Sequence, residues 1–74
     1  MKKQKLTAKN ETLGKRIAKF RKRKNLRQID LAEATGLTQT HISLLENGER
    51  GISMATLQKI AKVLDVKANE LLPF

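Results

Sequence analysis

Gly36 stands between two segments that each read as a short helix, and this constrains the chain more than any other feature. Upstream, Gln28–Thr35 carries Leu31 and the small Ala32. Downstream, a segment opening at Thr38 carries Ile42 and Leu45 and runs to Gly48. Glycine adopts the left-handed backbone without a Cβ clash, so the chain can turn sharply at Gly36. An alanine inside the first helix lets a second helix cross it closely. Leu31, Leu37, Ile42 and Leu45 are then the apolar contacts that fix the crossing angle.

The flanking sequence continues the helical reading. Leu13, Ile17 and Phe20 share one stripe of a first helix, which Thr12 can cap and Asn25 can end in a left-handed conformation. Asp30, at the third position of the second helix, can face the free N–H groups of its first turn. After the loop Gly48–Ile52, Ser53 caps a fourth helix with Leu57, Ile60, Ala61 and Leu64 inward, and Lys67–Leu72 forms a short fifth before Pro73. No run alternates with period two over strand length, so the expected fold class is all-α, a compact five-helix domain. Residues 12–74 form that domain. Residues 1–11 have no apolar period and read as a flexible basic arm, which either tracks a nucleic-acid backbone or serves as a solubilising tail.

Charge is distributed unevenly. Residues 1–27 hold 12 of the 16 basic residues and one acid, Glu11, whereas residues 28–74 hold four basic residues and six acids. This asymmetry points to a polyanion partner, most often nucleic acid, although a solvated basic face would look the same. The chain has no cysteine, which removes disulfides, thiol nucleophiles and Cys-containing zinc sites. With a single histidine, His41, no metal cluster can be proposed, and a solvated His is its default reading. No nucleophile–base pair or long phosphate loop is present, so the chain reads as a non-enzyme without cofactors. The longest stretch free of charged residues is Ala34–Leu45, well short of the ~20 residues of a membrane span. A soluble cytoplasmic protein is expected.

Helix, tight turn and second helix together make a helix-turn-helix arrangement, which lays its second helix in a DNA major groove. The motifs L-G-K-R-I-A-K-F-R-K-R-K-N, then Q-I-D-L-A-E-A-T-G-L-T-Q-T-H-I-S-L-L-E-N-G, then L-Q-K-I-A-K-V-L-D-V and E-L-L stand in order from Leu13 to Leu72. In this order and spacing, the chain resembles the phage-repressor/Cro-type helix-turn-helix family, also called the xenobiotic-response-element type. The resemblance implies a lambda-repressor-like fold. It implies that Gln28 donates to a backbone phosphate, that Thr38, Gln39 and Thr40 enter the groove, that Asn47 meets phosphate, and that Arg21 pairs with Glu46. Arg50 joins the backbone set. Three positions depart from the family pattern: Arg27 replaces the usual Ser or Thr cap, Gly51-Ile52 replaces a Pro, and Lys67 replaces the capping residue of the last helix.

Helical geometry reaches part of this independently. At ~100° per residue, Thr38, Ile42 and Leu45 point inward, and Thr40, Ser43, Leu44 and Asn47 point outward. The expected base-reading set is Gln39, Thr40, Ser43 and Leu44. Leu44 either meets a thymine methyl or pads the rim of the face. Arg27 either meets a phosphate or is a plain surface Arg. The run Arg21–Lys24 also opposes the dipole of its own helix, a purely structural use. Val66, Leu71, Leu72 and Phe74 form an apolar cluster that suggests a homodimer interface. A two-fold dimer implies a pseudo-palindromic double-stranded DNA operator. The expected function is a sequence-specific transcriptional regulator, a small repressor or autoregulator. The alternative is the antitoxin of a toxin–antitoxin pair, which would add a toxin as partner.

Overall fold

The computed structural model describes residues 8–72, with side chains from residue 12 onward. Five helices follow one another: α1 Ala8–Arg23, α2 Gln28–Thr35, α3 Gln39–Glu46, α4 Met54–Leu64 and α5 Ala68–Leu71. Helix α3 packs against both α1 and α2, and α4 joins α2 to α5. Among the described residues there is no strand, and no helix is long and apolar enough to cross a membrane.

The helix boundaries follow local chemistry. Asn25 adopts φ 59° after α1, and Gly36 adopts φ 78° after α2. Thr38 Oγ1 accepts from His41 N at 3.0 Å at the start of α3, and Ser53 Oγ accepts from Thr56 N at 3.2 Å at the start of α4. These caps hold N–H groups that have no partner inside their helix. Two helices, α1 and α5, differ from expectation in their bounds. Helix α1 begins at Ala8 rather than at Thr12, taking in residues expected in the arm. Ala, Lys and Glu are good helix formers, and extending a nucleated helix gains one bond per residue fixed. Residues 1–7 lie outside the described residues. Helix α4 ends at Asp65, which adopts φ 61°, a left-handed stop without glycine. Helix α5 is one residue shorter at each end than Lys67–Leu72.

The core is built from the stripes read in the sequence. Ile17, Leu31, Ile42, Leu45, Leu57, Ile60 and Leu71 are fully buried, with Leu13, Ala32, Ala61 and Leu64 beside them. Burying each large side chain contributes about 1.5–3 kcal/mol relative to leaving it exposed. Leu71 corrects one expectation. Assigned from sequence to a dimer interface, it is 0 % exposed within the single chain and belongs to the core. Helix α5 packs on both α4 and α1. Arg16 Nη1 donates to the carbonyls of Leu72 at 2.6 Å and Glu70 at 3.3 Å, holding the last helix against the first. Val66 and Leu72 are half-buried at the edge of this packing, and Phe74 lies outside the described residues.

Helices α1 and α3 meet at Gly14. A Cβ there would meet Leu45 O and lie 2.6 Å from Glu46 O, so this crossing admits only hydrogen.

Candidate nucleic-acid interface

Helix α3 buries Ile42 and Leu45 and turns its opposite face outward. Gln39 and Thr40 are exposed there, and Ser43 and Leu44 are half-buried. With Gln28 from the start of α2, these four residues line one open cleft of about 280 Å³. Leu44 is thus an apolar group among amides and hydroxyls. Such a surface can offer donors, acceptors and one methyl-sized contact to the edges of base pairs.

The rim of the cleft is fixed by a buried charge network. Arg21 Nε donates to Glu46 Oε2 at 2.6 Å and Arg21 Nη2 to Glu46 Oε1 at 3.0 Å, while Arg21 Nη1 donates to Leu26 O at 2.7 Å. Both side chains are nearly buried, at 11 % and 6 % exposure. The bidentate pair ties α1 to the end of α3. Gln28 is the third member: its Nε2 donates to Glu46 Oε1 at 3.0 Å. One amide N–H of Gln28 is therefore committed to the protein. The second N–H and the carbonyl remain for other partners.

The other residues expected at the interface are placed as follows. Thr38 is exposed rather than inward, because as the α3 cap it precedes the first helical turn. Asn47 follows α3 as its C-cap and is exposed, as is Arg50 in the next loop. Arg27 lies in extended backbone before α2, and its side chain does not cap the helix. Asp30 supplies the reciprocal half of a capping box, its carboxylate accepting from the N-cap residue's own N–H, Arg27 N, at 2.8 Å. The same carboxylate pairs with the Arg27 guanidinium. That hydrogen bond first, and the backbone N–H second, lower the Asp30 pKa to about 2. Sequence reasoning named Asp30 only for its place near the helix end. It missed Gly14 and Arg16. A glycine inside the helical stripe of Leu13 and Ile17 was the available signal for Gly14, whereas nothing local marked Arg16.

Comparison with known proteins agrees with this geometry. The helix-turn-helix family HTH_3 matches residues 17–71. The chain belongs to the Cro/CI-type helix-turn-helix family. Its members are DNA-binding regulators, and the matched span contains α2, Gly36 and α3. Among its relatives, an uncharacterised HTH-type transcriptional regulator, YazB of Bacillus subtilis, is 40% identical over 63 residues, 85% of this chain and 91% of that protein. Control protein C.SmaI of Serratia marcescens is 37% identical over 62 residues, covering 84% of this chain and 74% of that one. The crystal structure of the restriction-modification controller C.AhdI from Aeromonas hydrophila superimposes with a TM-score of 0.82 at 32% identity, covering 85% of this chain and 96% of the other.

Proposed function

We propose that this helix-turn-helix chain is a sequence-specific double-stranded DNA-binding transcriptional regulator, acting as a dimeric repressor or autoregulator on a pseudo-palindromic operator. The observation that carries this reading is the cleft of Gln28, Gln39, Thr40, Ser43 and Leu44 on the outward face of α3. A fold neighbour supports it: SinR, the master regulator for biofilm formation, was solved in complex with DNA and matches with a TM-score of 0.75 at 35% identity. Gln39, Thr40, Ser43 and Leu44 read base edges, while Arg27, Gln28, Thr38, Asn47 and Arg50 hold the backbone. The protein acts by binding rather than by turnover, in the cytoplasm and on the nucleoid.

Gln39 gives the sharpest test. Its amide can bond the N6/N7 edge of adenine bidentately, a contact worth about 1–3 kcal/mol of discrimination. Gln39→Ala relaxes preference at one base pair per half-site and leaves the salt dependence of binding nearly unchanged. Affinities for a panel of duplexes, drawn from a random pool by the wild-type protein and measured at several salt concentrations, check both expectations. Equal losses on selected and random DNA would remove Gln39 from readout.

Dimerisation is expected through the half-buried Val66 and Leu72, with Leu71 as their support from inside. The double variant Val66→Asp/Leu72→Asp sediments as a monomer with its helical circular dichroism retained. It loses most of its affinity for a two-half-site operator while still binding a single half-site weakly. An unchanged sedimentation mass places the interface elsewhere.

A further inference from the structure

Next to the cleft, Arg27 and Asp30 form a side-on ion pair. Arg27 Nε lies 3.0 Å from Asp30 Oδ2 and Nη2 lies 2.9 Å from Oδ1. Asp30 is itself fixed, since its Oδ2 also accepts from the Arg27 backbone N–H. A guanidinium carries five N–H donors in a rigid fork. This pairing uses the Nε–H and one Nη2–H, leaving the end-on fork of Nη1 and Nη2. That fork matches two phosphate oxygens bidentately. The cation is the solvent-facing partner: the Arg27 side chain is 78 % exposed, against 29 % for Asp30. Arg27 directly precedes Gln28, which lines the cleft.

We propose that Asp30 is a positioning residue for DNA binding, holding Arg27 side-on so that its end-on fork takes a backbone phosphate beside the cleft. This rests on the reading of the cleft as the groove-facing surface. An unrestrained arginine loses much rotamer freedom when it clamps a phosphate, and here the restraint is already in place. By its charge alone, a carboxylate beside a phosphate would weaken binding. The two roles of Asp30 therefore predict opposite signs when the charge is removed.

Asp30→Asn tests the sign, because asparagine keeps an oxygen for the Arg27 backbone N–H. The probe is a random-sequence duplex of about two helical turns, titrated with the full chain at several salt concentrations. Asp30→Asn weakens binding about five-fold in the wild-type background and strengthens it in the Arg27→Ala background. Arg27→Ala itself lowers the log–log salt slope by about one per subunit. Thermal unfolding by circular dichroism, recorded for each variant, separates a folding defect from a binding one. Should Asp30→Asn fail to fold, Arg27→Lys carries the test: it keeps the charge, lacks the fork, and loses about the same factor. Stronger binding of Asp30→Asn in both backgrounds overturns the proposal, as does Arg27→Lys binding like wild type. If the wild-type chain binds no duplex at all, the groove reading falls as well. Duplex binding without the sign reversal removes only the role of Asp30.

Discussion

Glu46→Ala lowers folding stability by about 3–5 kcal/mol. The carboxylate accepts from two nitrogens of Arg21 and from Gln28. Without it, the guanidinium keeps only the Leu26 carbonyl, on a side chain that is 11 % exposed. Small domains have total stabilities near the lower end of about 5–15 kcal/mol, so a loss of this size removes most of the margin. The melting temperature falls by at least about 12 °C, read by circular dichroism. Much of the cost comes from the stranded cation and not from the lost attraction, so the double variant Arg21→Met/Glu46→Leu recovers a large part of it. A drop under about 1 kcal/mol for the single variant would mean that water reaches Arg21 and that the pair behaves like a surface bridge.

Gly14→Val is expected to cost about 3 kcal/mol or more, measured by urea unfolding. Adding side-chain volume to a packed contact costs about 1–3 kcal/mol, and here the obstacles are two backbone carbonyls that cannot rotate away. Gly14→Ala is the informative control. In an open helix it would stabilise by about 1 kcal/mol, so a net loss measures how firmly α3 is held against α1. A gain in stability would show that the crossing can widen freely. Both variants also shift the chain around Glu46, so their effects with Glu46→Ala will not be additive.

What the sequence revealed follows the range of the interaction. Gly36, Asn25, Thr38 and Ser53 were legible because a cap or a left-handed turn is decided within three or four residues. The core stripes of α1, α3 and α4 were legible because a helical period needs one apolar partner surface, whichever it is. Thr40, Ser43 and Leu44 followed from the stripe, since the face opposite Ile42 and Leu45 has to be outward, whereas Gln28 and Gln39 came from the family resemblance alone. Leu71 was misassigned because its burial depends on how α5 docks on α4 and α1, which no local pattern shows. An apolar residue near a chain end looks the same whether it meets another molecule or its own first helix. Arg27 was legible as an anomaly, a basic residue where a cap belongs, but its answer at Asp30 required the side-chain geometry.

The Arg16 clasp has a consequence for how the molecule is made. Fifty-four residues separate Arg16 from Glu70, and translation proceeds at about 5–20 residues per second, so roughly 3–10 seconds pass between the two. Throughout that interval the nascent chain lacks the leucine that is buried when α5 packs on α4 and α1. The apolar surface of α1 and α4 that α5 covers is therefore the last part of the core to close, once Leu71 has left the ribosome.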